Sequence, residues 1–249
     1  MPHRQDHQIA VMTDESETEG FNPDKNRIAY IEWYDAPAKE KHTGGCMILI
    51  SGGAYNSCCD VGLIKKWNKR FTELGFQCVN FVYRTPRPVG LPIYQTAWED
   101  GQRAVRIVRS QAKKRGFDPE KIGIISMSAG SHLGLLLATS SQTPAYVLSD
   151  GYNGKNKNKG NGDDDIITPE FSFDLDTAPM VFIHGDADPY SPMGSVKVWE
   201  KMLMMGIQCD LHTLATRAHC FQYSASPGTG SYTYMDRIWE FLTAKGFNK

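Results

Sequence analysis

Short, unbroken apolar runs alternate along the chain with longer stretches in which apolar residues recur every three or four positions. The first pattern predicts strands buried on both faces, the second amphipathic helices. Cys46–Ile50 (CMILI), Gln77–Tyr83 (QCVNFVY), Ile122–Ile125 (IGII), Met180–Ile183 (MVFI) and Asp210–Leu214 (DLHTL) read as strands. Arg27–Tyr34 (RIAYIEWY) alternates like a half-buried strand. Between Thr143 and Asp150 only Ala145 to Leu148 are apolar, enough for a short strand. Helices are expected at Asp60–Leu74, with Ile64, Trp67, Phe71 and Leu74 on one face, and at Thr96–Arg115, with Ala97, Ala104, Ile107, Val108 and Ala112 inward. Further helices are expected over Leu133 to Ala138, at Ser195–Met205 with Val196, Trp199, Met202 and Leu203 on one side, and at Tyr232–Leu242. Gly75 and Gly206 stop the helices before them. Three prolines keep Thr85 to Ile93 out of regular helix.

Alternating strands and helices predict an α/β fold, with a mostly parallel sheet covered by helices on both faces. Chemistry then belongs to loops beyond the C-terminal ends of the strands. Residues 1–26 form a polar N-terminal arm, acidic from Asp14 to Glu19, and residues 27–249 a single α/β domain. Within it, residues 151–165 (GYNGKNKNKGNGDDD) read as a mobile polar loop. The formal net charge of -1 offers no basic excess for nucleic acid or an anionic membrane. No apolar run reaches the ~18 residues of a bilayer span. The polar N-terminus has no apolar signal core, so the expectation is a cytoplasmic chain, or an exported one whose leader lies outside this sequence. The six cysteines include no Cys-x-x-Cys pair, and no metal or cofactor is expected. The adjacent Cys58 and Cys59 are read as packed.

Four loops after predicted strands carry candidate chemistry. Lys121–Gly134 (KIGIISMSAGSHLG) has the strand, tight turn and helix of a nucleophile elbow, with Ser128 at the apex of Ser126-Met-Ser-Ala-Gly130. The plain alternative is a strand–helix turn with a Ser/Gly-rich cap. Ser51-Gly-Gly-Ala-Tyr55 follows a buried strand, where a glycine pair can turn backbone N–H groups outward as an oxyanion hole. His184-Gly-Asp-Ala-Asp-Pro189 offers two acids, and Thr216–Phe221 (TRAHCF) offers His219. A serine hydroxyl needs a base within reach, and the base needs a carboxylate to fix its tautomer. The order Ser128, Asp188, His219 supplies all three. Asp186 competes with Asp188, which is preferred because it lies further out in its loop, and Asp186 is expected to bond local backbone amides. His184 reads as structural, His132 as directed into helix packing, and His212 as one alternating position of a strand.

These residues together resemble the α/β-hydrolase superfamily, and more narrowly its small, nearly capless carbohydrate esterases, which include acetylxylan esterases. The matching positions are Ser51-Gly-Gly-Ala-Tyr55, Tyr83-Arg84, Asp100-Gly-Gln-Arg-Ala104 with Arg109, Phe117-Asp-Pro119, Ile122-Gly123, Ser126-Met-Ser-Ala-Gly130 with His132, His184-Gly-Asp-Ala-Asp188 and His219. Ser126 and Ala54 stand where the family usually has glycine, and the stretch before Asp150 lacks the family's strong apolar strand. The resemblance implies a three-layer sandwich with little or no cap. It implies Ser128 as nucleophile, Asp188 as acid, His219 as base, and oxyanion donors at Gly53 or Ala54 and at Ala129. Tyr55, Tyr190 and Phe221, each beside one of these loops, are candidate substrate contacts. The expected function is hydrolysis of acetyl or other small acyl esters on carbohydrate of the xylan type, with a small-molecule or oligosaccharide ester as the partner. A serine peptidase of the oligopeptidase type and a catalytically silent binding fold are the alternatives. A lipase is disfavoured because no long apolar lid is apparent.

Overall fold

Every residue of Cys46–Ile50 is buried, and the same holds for the five residues of Ile122–Ser126 and the six of Met180–Gly185. Strands without a polar face need cover on both sides, which is what intervening helices provide. The computed structural model describes residues 7–8, 28–58, 61–139, 146–149, 167–168 and 170–247. The chain divides into two units, Met1–Ile122 and Gly123–Lys249.

In the first unit the strands are β1 (His7–Gln8), β2 (Tyr30–Trp33), β3 (Cys46–Ile50) and β4 (Gln77–Val82). β4 pairs in parallel with β3 and antiparallel with β2, and β1 adds an antiparallel edge to β2. Most of the N-terminal arm lies outside the described residues. The helices are α1 (Val61–Glu73), α2 (Gln95–Ser110) and α3 (Ala112–Arg115). α1 buries Leu63, Ile64, Trp67 and Phe71 and ends at Gly75, where φ is +93°. A Cβ at Gly75 would sit 1.8 Å from the Lys41 carbonyl oxygen, so only glycine fits. The helix expected to run unbroken to Arg115 is two, divided at Gln111, and its buried stripe includes Asp100 and Val105 rather than the half-buried Ile107. Asp100 is 2% exposed and accepts from Arg84 Nε at 2.9 Å and Arg84 N at 3.0 Å, with Nη2 2.7 Å from its Oδ1. That fork ties the loop after β4 to α2.

In the second unit, β5 (Ile122–Ser126, whose first residue closes the first unit), β6 (Tyr146–Ser149), β7 (Met180–Gly185) and β8 (Cys209–Leu214) pair in parallel in that order. The weak strand expected near Ala145 to Leu148 is β6, four residues between β5 and β7. Residues 150–166, with the polar run 151–165, lie outside the described residues. β8 closes this edge, and none of its residues is buried. The helices are α4 (Ala129–Thr139), α5 (Met193–Met204) and α6 (Tyr234–Ala244). α4 is buried on nearly all sides, as its run Leu135 to Ala138 requires. α5 buries Gly194, Ser195, Val198 and Met202, so its inner stripe differs from the one expected, and Leu203 is 49% exposed. Gly206 ends α5 in the left-handed region, with Ile207 N bonding Met202 O at 2.9 Å. Among the described residues no helix is long and apolar enough to cross a membrane.

Candidate active site

Ser128 stands between β5 and α4 with φ at +51°, the left-handed region that non-glycine residues seldom occupy. Its carbonyl accepts from Ser131 N at 2.9 Å and His132 N at 3.3 Å, which turns the chain directly into the helix. Small neighbours allow this: Ser126 is 1% exposed, and Gly130 is buried in the first turn of α4. The hydroxyl is thereby set at the C-terminal end of β5. Ala129 is the first residue of α4, so its N–H has no carbonyl one turn back to bond.

The loops after β7 and β8 are laced together. Asp186 N donates to Leu214 O at 2.8 Å, and Ala187 N to Thr216 O at 3.2 Å. Asp186 Oδ1 accepts from Thr216 N at 3.0 Å. The competing acid thus bonds a backbone amide thirty residues away in the facing loop, not one of the local amides expected. Gly185 makes the approach possible, because a Cβ there would meet the Thr216 carbonyl oxygen at 2.7 Å. Thr216 Oγ1 accepts from Ala218 N at 3.2 Å, and the next residue is His219.

His219 Nε2 lies 2.8 Å from Ser128 Oγ, and its Nδ1 lies 3.2 and 3.1 Å from the two oxygens of Asp188. A carboxylate only accepts, so Nδ1 carries the ring proton and the bare Nε2 faces the serine hydroxyl. Asp188 is 7% exposed and also accepts from Tyr190 N at 2.8 Å. Burial pushes its carboxyl pKa up, but hydrogen bonds from His219 and Tyr190 N outweigh this and hold it below the ordinary value.

Tyr190 is half-buried with its ring 4.4 Å from that of His219. The other two aromatic candidates are buried. Phe221 is 1% exposed and meets Tyr234 edge-on at 5.6 Å, so it anchors the loop carrying His219 into the core and presents no face to a substrate. Tyr55 is 3% exposed, with its ring 5.7 Å from Tyr83, and is likewise packed. It closes a tight turn in the first unit. Gly53, Ala54 and Tyr55 have φ of +128°, +53° and +62°, and a Cβ on Gly53 would sit 2.0 Å from Ser57 O. The Tyr83 hydroxyl donates to the carbonyls of Ser51 and Gly52, both at 3.3 Å. Cys58 Sγ donates to Tyr83 O at 3.4 Å, and Cys59 lies outside the described residues.

His132 turns toward Glu170 Oε1, 3.3 Å away, and meets Phe171 edge-on at 5.1 Å. Burial opposes ionisation of Glu170, yet hydrogen bonds from His132, its own backbone and Thr168 leave its pKa lowered. His212 lies within β8 in register with Ile183. His184 and Ser195, both buried and bonded to each other at 3.0 Å, are functional candidates that strand and helix patterns alone do not reveal. Among the described residues no group of three His, Cys, Asp or Glu side chains is arranged to hold a metal ion.

Parallel strands β5 to β8, with α4 between β5 and β6 and α5 between β7 and β8, and a serine at the turn from β5 into α4 define the α/β-hydrolase class. Solved structures share the fold. An acetyl ester-xyloside bifunctional hydrolase from Caldicellulosiruptor lactoaceticus aligns over 100% of this chain and 98% of its own, with a TM-score of 0.71 and 16% identity. Esterase 2 of Thermogutta terrifontis, phosphonylated by cyclosarin, aligns over 100% and 96%, with a TM-score of 0.74 and 19% identity. An endo-1,4-beta-xylanase B from Butyrivibrio fibrisolvens is 33% identical over 118 residues, which are 46% of this chain. The match spans only 16% of that relative's length. The sequence model of the BD-FAE family matches residues 34–164, and the chain belongs to that family.

Proposed function

We propose that the chain is a serine carboxylic-ester hydrolase that removes acetyl or other small acyl groups from carbohydrate of the xylan type. The observation that carries the reading is the continuous hydrogen-bonded path from Ser128 Oγ through His219 to Asp188. His219 Nε2 takes the hydroxyl proton as Ser128 Oγ attacks the ester carbonyl. Asp188 keeps the proton on Nδ1 and stabilises the imidazolium that forms. His219 then protonates the departing alcohol oxygen, and water, deprotonated by the same nitrogen, hydrolyses the acyl-enzyme. The Ala129 N–H is one donor to the oxyanion, and such donors are worth about 10²–10³ in kcat each. A second donor, at Gly53 or Ala54, is the expectation of the sequence. Tyr190, beside the base, walls the space next to the reacting centre.

Two similarities support a carbohydrate ester. The chain shares 33% identity over 118 residues with a protein named as a xylanase, and one structural relative is named an acetyl ester-xyloside hydrolase. The test is hydrolysis of p-nitrophenyl acetate, butyrate and octanoate, followed by acetylated xylan, with Ser128→Ala as control. Cleavage of acetate and butyrate but not octanoate, abolished in Ser128→Ala, is expected. A folded Ser128→Ala protein that keeps its activity refutes the assignment.

A further inference from the structure

The turn carrying Asp188 is held from behind by a second histidine. His184, next to last in β7, is 1% exposed. Its Nε2 lies 3.0 Å from the Tyr190 carbonyl oxygen and its Nδ1 3.0 Å from Ser195 Oγ. A carbonyl only accepts, so Nε2 carries the proton. Burial pushes this imidazole's pKa down, against the pull of Asp188 and of the Tyr190 carbonyl. The ring is therefore neutral, and Nδ1 accepts from the Ser195 hydroxyl. Ser195 is fully buried in the first turn of α5, so its bond to Nδ1 sets the angle of the ring, while the Tyr190 carbonyl sets the tautomer.

Tyr190 links this pair to the acid. Its carbonyl accepts from His184, and its N–H donates to Asp188 Oδ1 at 2.8 Å. The same Nε2 stands 3.7 Å from Asp188 Oδ2, too long for a hydrogen bond.

We propose that His184 is a positioning residue for the reaction: its Nε2–H, aimed by Ser195, holds the Tyr190 carbonyl and so fixes the turn from which Asp188 orients His219. The proposal rests on the reading of Ser128, His219 and Asp188 given above. Without the Nε2–H, the Tyr190 carbonyl loses a buried partner and the turn relaxes, taking the Asp188 oxygens away from Nδ1. Buried below the turn, His184 offers no surface to a substrate. The loss therefore falls on kcat and not on KM.

Two substitutions separate positioning from packing. His184→Gln puts an amide nitrogen near the place of Nε2, whereas His184→Asn puts its amide near Nδ1 and leaves the Nε2 position empty. Ser195→Ala removes the hydroxyl that bonds Nδ1 and is small enough to fold. The full-length chain is assayed for kcat and KM with p-nitrophenyl acetate and for the rate of fluorophosphonate labelling at Ser128. His184→Asn is expected to fall about 10- to 100-fold in kcat and labelling, Ser195→Ala about 3- to 10-fold, and His184→Gln to stay within about threefold, with KM within about twofold throughout. Wild-type kcat in His184→Asn or in Ser195→Ala overturns the proposal. So does a His184→Gln loss equal to that of Asn, which marks a role in packing alone. If the Asn variant does not fold, Ser195→Ala decides by the same criterion. A wild-type chain that neither cleaves esters nor labels at Ser128 refutes the underlying reading and takes this proposal with it.

Discussion

Gly185→Ala tests how the two loops that bear acid and base are held in register. A Cβ at Gly185 would lie 2.7 Å from Thr216 O and 3.0 Å from Thr216 Cγ2. Reaching the 3.4 Å of ordinary contact requires the Thr216 carbonyl to retreat by about 0.7 Å (3.4 minus 2.7). That carbonyl is backbone and cannot swing aside like a side-chain tip. It also accepts from Ala187 N at 3.2 Å, a bond that lengthens as it moves. His219 lies three residues further on, with its Nδ1 3.1 Å from Asp188 Oδ2, so much of the shift reaches the acid–base contact. A displacement near 1 Å costs about 100-fold in rate, so kcat is expected to fall about 10- to 100-fold with KM little changed. Overpacking of this kind costs about 1–3 kcal/mol. In a chain this long that lowers Tm by roughly 2–12 °C. Steady-state kinetics with p-nitrophenyl acetate and a thermal melt of the same sample measure both. A Gly185→Ala protein with wild-type kcat and Tm refutes the reasoning.

The two acids of this turn are expected to separate cleanly. Asp188→Asn should lose about 10⁴-fold in kcat while remaining folded, as the carboxylate that fixes the tautomer is gone. Asp186→Ala, which removes a bond to Thr216 N that Leu214 O at 2.7 Å still satisfies, should lose only about 1 kcal/mol of stability and a few-fold in kcat. Equal losses in the two would refute this separation, and a larger loss in Asp186→Ala would reverse the roles. Burial lowers the His184 pKa, so between the ordinary value near 6.5 and its folded value the unfolded chain binds the extra proton. Stability from this group is therefore present above about pH 6.5 and is lost as pH falls through the folded pKa. The urea midpoint should drop between about pH 7 and about pH 5, and drop less in His184→Gln. The same drop in both proteins contradicts this. Gly53→Ala, with φ at +128° and a Cβ 2.0 Å from Ser57 O, should cost about 3 kcal/mol or more, read as a lost or strongly lowered thermal transition.

Apolar runs such as CMILI and MVFI were legible as buried strands because nothing else accommodates them, and glycines 75 and 206 marked helix ends because φ there is positive. The elbow could be read from small residues clustered around Ser128. What the pattern does not carry is direction. Phe221 and Tyr55 lie beside the expected loops in sequence, yet both point into the core, because adjacency does not say which way a loop side chain turns. The stripe of α5 differed for a related reason: Val196, Trp199 and Leu203 outweigh Ser195 in hydrophobicity, but Ser195 is the residue with a buried partner. Contacts over large sequence separations, such as Asp186 with Thr216 and Arg84 with Asp100, leave no periodic trace and emerge only from the folded chain.

β8, none of whose residues is buried, supports the base at its C-terminal end. An edge strand with so little apolar cover opens at a lower free energy than β5 or β7, both buried throughout. In the proposed triad the imidazole is therefore tethered to a strand that opens more readily than β5, which carries Ser128. On the proposed reading, heat inactivation is expected to begin as a local, reversible opening of β8, seen as activity lost below the thermal midpoint and regained on cooling. Covering or stiffening β8, with no change near Ser128, is then the shortest route to a more heat-tolerant catalyst.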